Sequence, residues 1–137
     1  MKYTFLHHTG DIRVKVEGET LESLYVSSML ALAAVLKPIF QRSSRSDDVK
    51  VWLTVRSVDR TTLLIDFLSD VLTESFYRSA LFTRLEGVTI DETSFKGWIC
   101  GQLVDKFDDE VKAVTYHEAE LIKNDSGNWE TRIIFDI

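Results

Sequence analysis

Cysteine and proline are nearly missing: Cys100 and Pro38 are the only ones in 137 residues. One cysteine excludes an internal disulfide, so burial rather than a covalent staple has to hold the chain together. Cys100 itself reads as a small hydrophobe in a strand rather than as a nucleophile. Six glycines are too few for a collagen-like or low-complexity chain. No apolar run approaches the roughly 20 residues of a membrane helix, and no charged-then-apolar leader opens the chain. A soluble cytoplasmic protein, with no membrane partner, is the expectation. Cations are the minority, 16 Lys and Arg against 22 Asp and Glu, for a net charge of −6. Phosphate affinity comes from clustered Lys and Arg, so this balance argues against a dedicated nucleic-acid binder. Any RNA contact is expected to come indirectly, through a partner. There is no phosphate loop, no Gly-x-Ser-x-Gly elbow, no His-Glu-x-x-His and no zinc spacing among Cys100, His7, His8 and His117. No nucleophile and base stand at a recognisable spacing, which points away from an enzyme.

What is present suffices for one domain, 1–137. A 45% hydrophobic content can bury roughly two thirds of the unfolded surface at this length. Lys2 to Leu6 reads as a strand with Tyr3 and Phe5 on one face. Ile12, Val14 and Val16 alternate with Arg13, Lys15 and Glu17 in the period of a half-buried strand that Gly18 ends. Thr20 is placed to cap a helix of about 16 residues, with Leu21, Leu24, Tyr25, Ser28, Leu32 and Val35 at helical spacing, that stops near Pro38. Val49, Val51, Leu53 and Val55 form another strand after a polar loop at 43–48. Asp59 can cap a second helix whose stripe is Leu64, Phe67, Leu68, Val71 and Leu72. Strands are expected at about 81–90, 95–104, 111–122 and 129–137, with a tight turn at Asn124 to Asn128. The pattern predicts an α+β fold: two amphipathic helices packed on a mixed, largely antiparallel sheet.

Two features carry chemistry. The chain ends inside an apolar, β-branched run, Arg132 to Ile137, which sets the α-carboxylate of Ile137 beside Asp136. Adjacent carboxylates repel, and keeping both ionised calls for a cation or a proton. Asp11 closes a tight His-Thr-Gly-Asp turn. Joined to Asp136 and the Ile137 carboxylate, it would make an all-oxygen site suited to calcium, magnesium or manganese. The plainer alternatives are a solvated Asp136 on an edge strand and an Asp11 that bonds its own turn. Local sequence does not say whether Asp11 lies near the chain end. Lys112, in the strand with Val114 and Tyr116, is a candidate counter-charge or else a solvated edge lysine. Trp52, Trp98 and Trp129 read as core or strand-face residues rather than a base-stacking platform, because basic residues near them in sequence are sparse.

Several segments resemble archease, the small protein cofactor of RtcB-type tRNA-splicing ligases. They are His8-Thr9-Gly10-Asp11-Ile12, Thr20-Leu21-Glu22-Ser23-Leu24 with Met29-Leu30-Ala31-Leu32, Leu63 through Leu72, Val111-Lys112-Ala113-Val114-Thr115-Tyr116-His117, and the terminal Asp136-Ile137. They span nearly the whole chain in the family's order. Gly10 replaces the family's usual alanine, and His7 stands where many members carry an acidic residue. The resemblance implies a protein that is not itself an enzyme. It would help the ligase load GMP onto its active-site histidine and turn over repeatedly in tRNA splicing, and it would serve as a chaperone or modulator of RNA-processing proteins. The resemblance also maps a divalent-metal site (calcium, or manganese or magnesium) onto Asp11, Asp136 and Ile137, with Lys112 as a nearby basic residue. The competing readings are a general chaperone and, from another class, a metal-dependent phosphoester hydrolase using the same carboxylates.

Overall fold

The computed structural model describes residues 2–6, 11–36, 38–39, 48–107, 110–116 and 120–137. In chain order the elements are β1 (Lys2–Leu6), β2 (Ile12–Gly18), α1 (Leu21–Leu36), β3 (Pro38–Ile39), β4 (Asp48–Arg56), α2 (Arg60–Arg78), β5 (Ala80–Ile90), β6 (Ser94–Leu103), β7 (Lys106–Phe107), β8 (Ala113–Tyr116), β9 (Ile122–Lys123) and β10 (Trp129–Asp136).

The α+β class expected from the pattern is the one found, and every strand pairing among the described residues is antiparallel. The strands divide between sheets, however. A first sheet runs β1-β2-β10-β8, with β9 also on β10; a second runs β4-β6-β5; β3 and β7 form a short ribbon. The run at 111–122 is not one strand: β8 covers only Ala113–Tyr116, and Ile122–Lys123 pairs separately as β9. Period-two alternation reveals which face of a strand is buried, but not which sheet the strand joins.

Each sheet buries one face. Val14, Val16, Val114, Ile133 and Phe135 point inward from the first, and Val51, Leu53, Val55, Phe95 and Ile99 from the second. Helix α1 packs against β2 of the first sheet and β5 of the second, while α2 reaches β8 and all three strands of the second. The helices therefore fill the space between the sheets. Three rings join the layers: Tyr25 of α1 lies 4.8 Å from Phe67 of α2 and 5.7 Å from Phe95 of β6, and Phe67 and Phe95 are 4.6 Å apart. Burial pushes the Tyr25 hydroxyl well above its ordinary pKa, as expected for a phenol kept neutral inside a core.

Local chemistry sets the helix ends. The Thr20 hydroxyl accepts from the Ser23 N–H and the Ser23 hydroxyl from the Thr20 N–H, each at 3.0 Å. This is a reciprocal cap with serine in the place usually held by Glu or Gln. A Cβ on Gly18 would run into the backbone of Leu24, so glycine is required where the strand turns into α1. Ser27, buried, accepts from the Lys2 N–H at 2.7 Å and donates to the Glu17 carbonyl at 2.9 Å, tying α1 to β1 and β2. Asp59 caps α2 by accepting from the Thr62 N–H at 2.8 Å, and those bonds hold its carboxyl below the usual range. The α2 stripe is buried as expected. Helix α1 departs from amphipathicity: Ser27, Met29, Ala31, Ala33 and Leu36 are buried besides the expected stripe, and only Glu22 and Ala34 are exposed. A helix apolar on nearly all sides suits a site between two sheets.

Candidate metal centre at the end of β10

Strand β10 is not an edge strand. It pairs with β2 on one side and with β8 on the other, so its last residues are fixed from both flanks. Phe135 stands opposite Ile12. The ladder ends there: Asp11 immediately precedes β2, and Asp136 pairs with Ala113 of β8 on the other side. Asp136 is exposed and Asp11 half-buried, and Arg13 and Lys15 follow at alternate positions of β2. The Asp136 carbonyl accepts from the Lys112 N–H at 2.7 Å. The structure thus brings the backbone of Lys112 onto Asp136, while Asp11 stands at the start of β2, the strand that pairs with β10 on its other side.

The fold supplies one counter-charge, since the Arg13 guanidinium lies 3.4 Å from Asp11. Arg13 was not among the candidates read from the sequence. Its signal was there, because i and i+2 on a strand share a face, but a cation beside a carboxylate suggests an ordinary ion pair. Asp136 is exposed and Ile137 is 47% exposed, so the strand end is open to a ligand. Lys112 is exposed too, and it precedes the regular part of β8 rather than sharing a face with Val114, which is buried. His7, His8, Gly10 and His117 lie outside the described residues. Among the described residues no three His, Cys, Asp or Glu side chains are grouped to hold a metal. A centre here would need two aspartates together with the α-carboxylate. That donor set is all oxygen, which fits a hard divalent cation and not zinc.

The remaining candidates fall elsewhere. Cys100 is fully buried on β6 and donates to Glu86 at 2.9 Å. Burial and then the Glu86 carboxylate push its thiol up to about 11, the opposite of a reactive cysteine. Trp129 is half-buried, with the Arg60 and Lys123 cations 5.3 and 5.2 Å from its ring. No described helix is long and apolar enough to cross a membrane.

A model of the archease protein family (MTH1598/TM1083) matches residues 3–137. The chain belongs to the archease family. The archease of Methanosarcina mazei is 32% identical over 144 residues, covering 99% of this chain and 96% of that protein. The archease of Pyrococcus furiosus is 28% identical, covering 95% and 94%. Among solved structures, the solution structure of Methanobacterium thermoautotrophicum protein 1598 superposes with a TM-score of 0.74 at 27% identity over 98% of each chain. The crystal structure of a Thermotoga maritima archease, described as a possible chaperone, gives 0.64 at 17% identity over 96% and 94%, a likeness of fold. The archease fold therefore accounts for the two-helix, multi-sheet arrangement as a whole.

Proposed function

We propose that this archease-family chain is a protein cofactor that activates an RtcB-type tRNA-splicing ligase, promoting its guanylylation and repeated turnover through a divalent cation held at the end of β10. The observation that supports this reading is the pairing of β2 and β8 on either side of β10, whose open end carries Asp136 while Asp11 immediately precedes β2. Asp11, Asp136 and the α-carboxylate of Ile137 would hold the cation, and Lys112 would be the adjacent basic group. Arg13 balances Asp11 until a cation takes over that charge. A divalent cation bridges and neutralises phosphate oxygens, the assistance that transfer of GMP requires. The net charge of −6 suits a basic RNA-binding ligase, since complementary charge speeds and orients encounter. On this reading the chain works beside the ligase in the cytoplasm and catalyses nothing alone.

The test is guanylylation of the cognate ligase with GTP and divalent metal, with and without this protein. Faster GMP loading with the wild type, and none with a folded Asp136→Ala variant, is expected. Extending the chain by residues after Ile137, which turns the carboxylate into a peptide, should act like Asp136→Ala. Equal stimulation by wild type and variant would keep the partnership but remove the metal mechanism. That outcome favours a chaperone-like role, for which Tyr77 (80% exposed) and Phe76 (42% exposed) offer aromatic contact surface. Turnover of nucleotides by this protein alone would instead favour a hydrolase.

A further inference from the structure

The outer face of the second sheet carries a feature that the strand-end chemistry does not use. Trp52 of β4 and Trp98 of β6 are directly opposed in register, with ring centroids 5.3 Å apart and planes at 76°. The Trp52 indole N–H donates to Thr54 at 3.1 Å, and Trp52 remains 48% exposed. A large ring held open on a sheet is costly to leave bare, and it is a ready stacking surface.

Cations widely separated in sequence converge around the pair. Alternation along β4, β6 and β5 places Lys50, Arg56, Lys96 and Arg84 on this same face. Lys50 lies 4.8 Å from the Trp98 ring. Against these four stand Glu86 and Asp48. Glu86 is taken up by Lys50 at 3.7 Å, Arg84 at 4.0 Å and the Cys100 thiol, while Lys96 and Arg56 have no ion-pair partner among the described residues. A chain of net charge −6 thus presents one face where cations outnumber carboxylates. At physiological ionic strength the screening length is about 8 Å, so these local cations, rather than distant acids, govern what binds here.

We propose that the outer face of β4-β6-β5 binds single-stranded nucleic acid, with bases stacking on Trp52 and Trp98 and phosphates held by Lys96, Arg56 and their neighbours. An aromatic pair on an open sheet ringed by cations supplies the two interactions such strands require. Stacking tolerates any base, and cations track the backbone. The site is separate from the strand end and needs neither a metal nor a ligase.

The test is fluorescence anisotropy of a labelled ten-nucleotide oligouridylate titrated with the full chain in low salt and EDTA, so that metal and ligase play no part. Saturable binding is expected, with log affinity falling against log salt at a slope of about −1.5 to −2, two to three phosphates' worth for a single strand. Trp52→Ala should weaken binding at least tenfold, whereas Trp52→Phe, which keeps a stacking ring, should stay within about threefold. Lys96→Glu should weaken it severalfold and flatten the salt slope. Thermal unfolding of each variant reports that the exposed substitutions leave the fold intact. No binding by the wild type at about 1 mM protein, an unchanged affinity in Trp52→Ala, or equal affinity for a duplex of the same length would each overturn the proposal.

Discussion

The outer faces of the two sheets are built from the same alternating pattern and arrive at opposite surfaces. On the first sheet, charges are matched locally: Arg13 with Asp11, and Lys15 with both Glu17 and Glu130. The matching is broken at Arg132 of β10, which stands beside Lys15 and has no ion-pair partner among the described residues, and at Asp136 on the end of the strand. On the second sheet, Trp52 and Trp98 occupy the centre, and Lys96 and Arg56 are left without ion-pair partners among the described residues. A sheet face neutralised by its own residues needs nothing from outside. A face with unmatched charge, or with a bare indole, is one that a ligand can complete. The two sheets are thus incomplete in different ways, one at an acidic point and the other over a basic, aromatic field.

The change with the largest expected effect removes both faces together. Phe67 packs on Tyr25 and Phe95 and is fully buried, so it links α2 to the layers on either side. Phe67→Ala should cost about 3–5 kcal/mol, measured as a shift in the urea midpoint at unchanged m-value. If the two sheets were independent units, denaturation followed by tryptophan fluorescence (dominated by the second sheet) would part from that followed by far-ultraviolet circular dichroism. Coincident transitions are expected, because the core is continuous between the sheets.

Next in size is the acidic point. Asp136→Ala should weaken calcium or manganese binding at least tenfold, about 1.4 kcal/mol by the usual conversion, as read by isothermal titration. Arg13→Gln should do the reverse and tighten the metal modestly, since it removes the cation that competes for Asp11. Metal affinity unchanged by both would mean that the strand end holds no metal.

How far the sequence foretold these faces depends on the range of the interaction. Helix α2 and both helix caps were legible, because stripe, Asp59 and Thr20 lie within one or two turns of each other. The full burial of α1 was not: alanines and serines carry weak hydrophobic signal, and only sheets packed on both sides of the helix bury Ser27, Ala31 and Ala33. Asp11, Asp136 and Lys112 were all named from sequence, but the contact of Lys112 with Asp136 comes only with the pairing of β10 and β8. The basic field around Trp52 went unseen for the same reason. Arg84 and Lys96 lie dozens of positions from Lys50, and only cross-strand pairing makes them neighbours. Sparseness of cations along the sequence therefore says little about their spacing across a sheet, while the placing of Trp52 and Trp98 on strand faces holds.

Cys100 offers a smaller test of the second face. Its thiol is pushed up to about 11, first by burial and then by Glu86. Glu86→Gln should lower that value while leaving it above the ordinary thiol range, because the larger cause remains. The readout is the pH dependence of iodoacetamide alkylation. The linkage has a definite sign. A raised thiol pKa means that the cysteine contributes no pH-dependent loss below its unfolded pKa, and that stability falls as pH rises from there toward 11. Glu86 itself is held below the usual range by the thiol and by Lys50, so its contribution is present above the ordinary glutamate pKa and is lost as pH falls. Glu86→Gln should flatten stability at both ends of the pH scale.

The smallest effect contrasts the two faces through one residue type. Lys15, at the centre of the first sheet's outer face, pairs with Glu17 at 3.4 Å and Glu130 at 3.7 Å. Lys50, on the second, lies 4.8 Å from the Trp98 ring as well as 3.7 Å from Glu86. Lys15→Met removes an interaction between partly buried surface charges, worth about 0.2–1 kcal/mol. Lys50→Met removes a cation from an aromatic face, of similar size at about 0.5–1 kcal/mol, but keeps an apolar stem that can still lie on the indole. The two should separate in salt. Raising sodium chloride to 1 M contracts the screening length to about 3 Å, so the destabilisation caused by Lys15→Met should vanish. That of Lys50→Met should persist in part, since the attraction of cation and ring is short-ranged and includes dispersion, which salt does not screen. Identical salt responses in urea titrations of the two variants would mean that both faces are governed by ordinary surface charge, and the difference drawn between them would fail at its weakest point.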